Sequence, residues 1–197
     1  MKTPTWFIVA GAALVAALIA VAGAAAFGGW TGEGVGAATR FTARWAFPWF
    51  LAAWSASALA TLWPGGWRTV LLRRRRAVGL AFAANHTVHF VALMSGILVF
   101  DAPAKLITVI AGGTVYLFIA LMAATSSDAA VRWLGPKRWR LLHAVGGWAI
   151  LLVFTNSYVG RISEKPWLGI PAVTLIALAV LLRAGAWLKR HRRAQAA

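Results

Sequence analysis

Six apolar segments, each roughly 20 residues long, constrain this chain most, because an α-helix needs about that length to cross a bilayer. They cover residues 6–27, 41–63, 77–100, 106–125, 141–159 and 167–188. The 197 residues are 61% hydrophobic and their mean hydropathy is +0.74, which is too apolar for a soluble domain of this size. The connections are short. The sequence therefore predicts an all-α integral membrane bundle of six transmembrane helices, a single domain over 1–197 with a basic C-terminal tail at 189–197.

The distribution of basic residues predicts the orientation of the helices. The chain has 20 Lys and Arg residues but only 4 Asp and Glu residues. The strongly basic regions are the loop after the second segment, the loop after the fourth segment and the C-terminal tail. Cytoplasmic loops of membrane proteins collect Lys and Arg. We therefore expect a multi-pass protein of the cytoplasmic (inner) membrane with both termini in the cytoplasm.

The formal net charge of +16 does not indicate nucleic-acid binding in this chain. A nucleic-acid-binding protein carries its basic residues along a solvated face or groove. Here they fall between apolar segments, where anionic lipid headgroups account for them, so the predicted partner is the lipid bilayer. The absence of cysteine excludes disulfides, iron–sulfur clusters and thiolate-ligated haem.

Three of the four histidines lie within apolar segments. His86 and His89 are three residues apart in the third segment, so they share a helix face and are about 4.5 Å apart along its axis. His143 lies near the start of the fifth segment, whereas His191 lies in the basic tail and is assigned no role. A titratable imidazole in hydrocarbon is costly and usually serves a function, and neutral imidazole is a common axial ligand of haem iron. The histidines indicate a haem site; for each one alone, an interhelical hydrogen bond is the alternative.

Two glycines and the acidic residues bear on this interpretation. Gly146 and Gly147 follow His143 by one turn, which leaves space either for a flat macrocycle or for close helix packing.

A transition-metal site at the two neighbouring histidines would normally add carboxylates or cysteines, and a proton-coupled transporter would need a buried carboxylate. All four acidic residues are predicted to lie outside the helices: Glu33, Asp101, Asp128 and Glu164. Motifs for catalysis by side chains alone are also missing.

Two stretches of the chain resemble the ferric reductase-like transmembrane domain family. The run RRRAVGLAF at residues 74–82, with His89 downstream, resembles the start of the family's third helix. The run TSSD at 125–128, followed by LGPKRWRLLH at 134–143, is similar to its connection into the fifth helix. The resemblance covers about residues 40–185. Within the family, the chain looks like the haem-binding membrane subunits of periplasmic methionine sulfoxide reductase systems.

This resemblance implies a function in electron transfer. Members of the family are six-helix b-haem proteins that carry electrons across a membrane to an external acceptor; for the bacterial subunits the acceptor is a soluble reductase with a molybdenum cofactor. The chain would accordingly be a haem b-binding subunit of an oxidoreductase system rather than a complete enzyme. Electrons would come from a separate flavin or quinone donor and pass to a soluble or membrane redox partner.

The resemblance also implies which residues bind the haem iron. It matches His89 to the family's histidine on helix three and His143 to the first histidine on helix five. The family's second histidine on helix five falls on Asn156, and asparagine is not a usual haem ligand. The alternative function is therefore a haem-free structural or assembly partner in a membrane complex, which has lost this ligand.

Several ligand arrangements are compatible with these residues. One haem bound between His143 and either His86 or His89 is one arrangement, and ligation by His89 alone is another. Arg44 and Arg161 are predicted near the outer surface of the membrane, where they are candidates for pairing with the haem propionates. Anchoring at the membrane interface is the alternative role of each arginine.

Overall fold

The computed structural model describes residues 3–195, and every regular element in this range is helical, with no strand. The predicted all-α fold class is therefore confirmed. The helices are α1 (Thr5–Ala26), α2 (Gly32–Leu62), α3 (Gly66–Val99), α4 (Leu106–Ala124), α5 (Asp128–Leu134), α6 (Pro136–Val159) and α7 (Pro166–Gln195).

Most of these helices have the length and composition of transmembrane helices. Within residues 3–195, five are long and apolar enough to cross a membrane, namely α1, α3, α4, α6 and α7. Helix α2 has 31 residues but is not among these five, because its most apolar part, residues 45–62, contains Pro48, three tryptophans and two serines. The chain is thus a helical membrane protein, while a sixth crossing through 41–63 stays a prediction.

The helices are divided between two compact units. The first comprises residues 3–50 and 76–126, and so contains α1, the first part of α2, most of α3, and α4. The second comprises residues 51–75 and 127–195, with the end of α2, the start of α3, and α5 to α7. Helices α2 and α3 therefore each contribute residues to both units.

Small residues make up much of the buried interior of each unit. In the first unit Ala37, Ala46 and Ala81 are all 0% exposed, and in the second unit Ala56 is 0% and Ala186 1% exposed. Small side chains allow helix backbones to approach closely, which is how membrane helices commonly associate. Larger side chains, such as the rings described below, fill the remaining space.

Helix α2 begins before the predicted start of the second segment at residue 41. The Thr31 hydroxyl oxygen accepts a hydrogen bond of 3.2 Å from the Gly34 backbone N–H, as an N-cap residue does. Glu33 lies in the first turn of α2, where its negative charge is favourable next to the positive end of the helix. The prediction that Glu33 lies outside the helices was wrong, because these two residues extend the helix beyond its apolar part.

A similar correction applies to the stretch between the fourth and fifth segments. It contains α5, which begins where the Ser127 hydroxyl oxygen accepts a hydrogen bond of 3.1 Å from the Ala130 backbone N–H. Asp128 occupies the first turn of α5 and is therefore also helical, against the prediction. Gly135, at φ +77°, then turns the chain, and Pro136 begins α6 earlier than the predicted residue 141. Proline is favoured at this position because the first N–H groups of a helix have no intrahelical partner.

Two basic regions that were predicted as non-helical continue the neighbouring helices. Helix α3 begins at Gly66 rather than at residue 77, so that the four consecutive arginines at 73–76 are helical. Helix α7 continues through the predicted tail to Gln195, and residues 196 and 197 lie outside the described range. Hydropathy marks only the part of a helix that suits lipid, whereas arginine and lysine are good helix formers in water. The apolar segments therefore underestimate the lengths of both helices.

Candidate functional site

His86 and His89 lie together in the first unit, one turn apart on α3. The centres of their rings are 5.1 Å apart, in agreement with the shared helix face that their spacing predicts. His86 is 8% exposed, whereas His89 is half-buried. These two imidazoles form the centre of the candidate site in this unit.

The hydrogen bonds of His89 determine which of its ring nitrogens carries the proton. Its Nδ1 atom lies 3.0 Å from the Thr39 carbonyl oxygen and 3.2 Å from the Thr42 hydroxyl oxygen. The Thr42 hydroxyl itself donates to the Ala38 carbonyl oxygen at 2.7 Å. A carbonyl oxygen can only accept a hydrogen bond, so Nδ1 of His89 is the donor. In the neutral imidazole, Nε2 then has the lone pair that a metal ligand needs.

Aromatic rings surround this pair of histidines. The His86 ring centre is 4.8 Å from that of Phe82 and 5.4 Å from that of Tyr116 on α4. The Tyr116 ring also stacks on the His89 ring with 6.4 Å between their centres. These rings make the surroundings of the imidazoles largely apolar, which lowers the local dielectric constant and strengthens electrostatic interactions there.

Two polar groups beside the histidines are buried without a hydrogen-bond partner in the described part of the chain. Asn85 is 0% exposed, and neither its amide nitrogen nor its amide oxygen has such a partner within residues 3–195. The same holds for the Tyr116 hydroxyl group. Burial of an unpaired polar group is costly, so a water molecule or a polar ligand group is expected there. Tyr116, Thr39 and Thr42 were not predicted from the sequence, although polar residues within long helices of a membrane protein were an available signal.

His143 lies in the second unit, on α6. Its ring centre is 4.2 Å from that of Trp139, and it is half-buried. Among the described residues, its Nε2 atom has no hydrogen-bond partner. The structure thus brings His86 and His89 together in one unit, while the participation of His143 in the same haem site stays a prediction.

Gly147, one turn after His143, serves helix packing. A Cβ atom at this position would lie 3.2 Å from Cδ1 and Nε1 of Trp54 on α2, which is closer than ordinary van der Waals contact. The Trp54 side chain is 5% exposed and also packs edge-on against Trp148, with 5.2 Å between the ring centres. Of the two interpretations of Gly147, close packing of helices is therefore the one that the structure supports.

The predicted propionate partners lie on different units. In the first unit Arg44 is half-buried, and its guanidinium carbon lies 5.4 Å from the centre of the Phe41 ring. In the second unit Arg161 follows α6, where its backbone N–H donates to the Tyr158 carbonyl oxygen at 3.1 Å. Asn156 is an exposed residue of α6. Interaction of the two arginines with propionates stays a prediction.

No group of three or more His, Cys, Asp or Glu side chains that could hold a metal ion is found within residues 3–195. The described residues could bind a metal through an imidazole. The candidate ligand atom is Nε2 of His89, because Nδ1 of the same ring donates to the Thr39 carbonyl oxygen.

The five apolar helices among residues 3–195 define a multi-pass membrane protein, and in its first unit two histidines lie among aromatic rings. The chain is similar to the protein-methionine-sulfoxide reductase heme-binding subunit MsrQ of Azospira oryzae, with 32% identity over 123 residues. The matched region covers 59% of this chain and 52% of the relative, so the chain spans about half the length of that curated protein. No family model matches the chain. No solved structure matches it either.

Proposed function

We propose that this chain is a haem b-binding electron-transfer subunit of the cytoplasmic membrane, which passes electrons across the bilayer to an external acceptor. In this proposal residues 1–197 form one transmembrane domain that crosses the membrane six times, with both termini in the cytoplasm. The similarity to a heme-binding subunit and the five helices that are suited to a membrane both support it.

The hydrogen bond from His89 to Thr39 is the observation that carries this proposal. Metal-ligating histidines usually donate their other ring N–H to a carbonyl or carboxylate oxygen, which fixes the tautomer and ring orientation and makes the ligand more basic. The Nδ1 atom of His89 makes this contact with the Thr39 carbonyl oxygen at 3.0 Å. His89 is thus held as a neutral ligand, with Nε2 available for iron.

The neighbouring residues fit the remaining chemistry of a haem. When bound, the haem supplies the one-electron redox chemistry, and the protein tunes it through ligation, hydrogen bonding and burial. His86 and Tyr116 line the space beside His89, and the buried Asn85 amide offers hydrogen-bond donors and an acceptor. Arg44, half-buried on α2 in the same unit, supplies a positive charge for a propionate.

A second residue that would hold the haem iron is proposed from the resemblance of helix α6 to the related family. We propose His143 for this role, with His86, or ligation by His89 alone, as the alternatives. Arg161 is proposed as a second propionate partner. These assignments predict distinct spectra, because a bis-histidine haem b is low-spin and a five-coordinate haem is high-spin.

The redox partners are proposed to be separate proteins or cofactors. The similar chain is named as a subunit of a protein-methionine-sulfoxide reductase, so we propose a reductase of oxidised methionine as the acceptor. A quinol or a flavin-containing protein is the proposed donor. The chain would then be one component of an oxidoreductase system.

The test is a dithionite-reduced minus oxidised absorption spectrum of the purified chain, with a pyridine haemochrome assay of haem content. We expect a b-type α-band, close to one haem per chain, and loss of that band in the variant His89→Ala. His191→Ala is the matched control, because His191 also places Nδ1 3.1 Å from a carbonyl oxygen, that of Trp187, but is exposed on α7. An unchanged band in His89→Ala would contradict the assignment.

A haem-free structural or assembly role is the second candidate function. It is favoured by the exposed Asn156, which stands where the related family has a histidine. If the chain shows no Soret absorbance after expression with ample haem, this second function replaces the first. The partner should then be sought by cross-linking in membranes.

A further inference from the structure

An apolar groove lies on the second unit, beside the end of α2 and the middle of α7. Its volume is about 400 Å³. The lining is almost entirely apolar, and the residues are Leu62, Trp63, Leu178, Leu181 and Leu182. A groove of this composition fits a hydrocarbon chain.

Two cationic side chains lie at the end of α2 that borders this groove. The Lys189 ammonium donates to the Leu62 carbonyl oxygen at 2.9 Å, and Nη1 of Arg190 lies 3.4 Å from the Thr61 hydroxyl oxygen. Leu62 is therefore both a lining residue of the groove and a partner of Lys189. An ammonium has three N–H donors and a guanidinium has five, so both cations retain donors for an anion.

Exposed tryptophans indicate that this end of the unit lies at the membrane interface. Trp63 is 53%, Trp67 60% and Trp187 52% exposed. Tryptophan is enriched at the level of the lipid headgroups. Lysine and arginine near helix ends also extend towards that level. The groove therefore faces hydrocarbon, while its charged end lies among the headgroups.

We propose that this groove binds an anionic phospholipid, with one acyl chain along the leucines and the phosphate against Lys189 and Arg190. Charge complementarity selects this occupant, because the quaternary ammonium of a zwitterionic lipid is repelled by the two cations and a quinone tail has no anionic group for them. Basic pockets between membrane helices on the cytoplasmic side are a known way of binding anionic headgroups. This site involves none of the histidines, so it does not depend on the proposed haem function.

The experiment measures lipid binding to the purified full chain in a nonionic detergent by native mass spectrometry. The probes are dioleoylphosphatidylglycerol, dioleoylphosphatidylcholine and inorganic phosphate. We expect the phosphatidylglycerol to bind roughly tenfold more tightly than the phosphatidylcholine, and inorganic phosphate to bind only weakly. Equal affinities for the two lipids would overturn the proposal, and so would phosphate binding as tight as that of the anionic lipid.

Variants separate this site from a general effect of positive charge. The double variant Lys189→Gln/Arg190→Gln should lose roughly tenfold in affinity for phosphatidylglycerol and keep its affinity for phosphatidylcholine. Arg192→Gln/Arg193→Gln removes the same charge from the exposed last turn of α7 and should change neither affinity by more than about twofold. An equal loss in both double variants would overturn the proposal.

A third variant tests the groove without removing any charge, in case the first double variant fails to fold. Leu181 lines the groove and is 65% exposed, so Leu181→Trp should fill the groove without disturbing the interior of the unit. We expect it to weaken binding of both lipids, because both acyl chains would meet the larger side chain. Unchanged phosphatidylglycerol binding in Leu181→Trp would show that the lipid lies elsewhere.

Discussion

Arg183 contacts Trp54 in two ways. Its Nη1 atom donates a hydrogen bond of 3.0 Å to the Trp54 carbonyl oxygen, and its guanidinium carbon lies 4.4 Å from the centre of the indole ring. Trp54 also packs against the Cα face of Gly147. Trp54 on α2 is thus bound by a cation on α7, and it fits against α6 because Gly147 has no side chain there.

The first prediction concerns the contribution of Arg183 to stability. Arg183→Ala should lower the free energy of unfolding by about 2 kcal/mol, since it removes a charged hydrogen bond and a cation–π contact. The stability of Arg183→Lys should lie between those of the wild type and Arg183→Ala, because lysine keeps the charge but lacks the planar group that stacks on the ring. Thermal unfolding in detergent measures the order. Arg192→Ala, at an exposed position of the same helix, is the control, and an effect as large as that of Arg183→Ala would contradict the prediction.

A second prediction ranks three glycine-to-alanine variants by the space around each glycine. A Cβ atom at Gly169 would lie 2.8 Å from the Ile162 backbone nitrogen, and one at Gly147 would lie 3.2 Å from the Trp54 ring, whereas one at Gly113 would meet nothing within 4 Å. Backbone atoms cannot move aside as a ring can, so Gly169→Ala should destabilise most and Gly147→Ala less. Gly113→Ala should be neutral or stabilise by up to about 1 kcal/mol, because alanine favours helix.

The melting temperatures of these three variants, measured in one detergent, provide the comparison. A higher melting temperature for Gly169→Ala than for Gly113→Ala would show that the backbone contacts of Gly169 do not limit the packing of α6 and α7.

The third prediction concerns the Thr42 hydroxyl, which lies 3.2 Å from Nδ1 of His89. Thr42→Val has nearly the same shape but removes this hydrogen-bond acceptor. We expect haem affinity to fall, by roughly tenfold at most, because the Thr39 carbonyl oxygen still accepts from Nδ1. Haem occupancy by pyridine haemochrome, together with the midpoint potential, measures the effect.

Thr87 supplies the matched control for Thr42. It is an exposed threonine of α3 whose hydroxyl donates to its own helix, at the Ala83 carbonyl oxygen. Thr87→Val should leave haem occupancy and potential unchanged. Identical results for the two valine variants would argue against a role of Thr42 in holding His89.

The last prediction uses the buried Asn85 amide to ask whether a ligand or water molecule satisfies it. In haem-free protein, Asn85→Leu should raise the free energy of unfolding by about 1 kcal/mol, because it replaces an unpaired buried polar group with an apolar one of similar size. Asn156→Leu, at an exposed position of α6, should have little effect. Lower stability of Asn85→Leu would mean that the amide is hydrogen-bonded in the haem-free protein as well.

Hydropathy and residue spacing were sufficient for the helical membrane fold and for the shared face of His86 and His89. Both are local properties: transfer of an apolar segment into lipid depends on its own composition, and the helical repeat places residues three apart on one side. The ends of the helices were predicted less well. Capping by Thr31 and Ser127, and the helix-forming arginines of α3, extend helices into regions that are too polar for a hydropathy segment.

The chemistry of individual side chains depended on tertiary contacts. The proton position on His89 is set by a carbonyl 50 residues away in the sequence, and the environment of Trp54 by an arginine 129 residues away. From the sequence, Gly147 is compatible with a cofactor surface or with helix packing, and only the Trp54 ring that lies against it decides for packing. Hydrogen bonds and close packing act over about 3–4 Å between groups, and the distance along the chain does not determine which groups come that close.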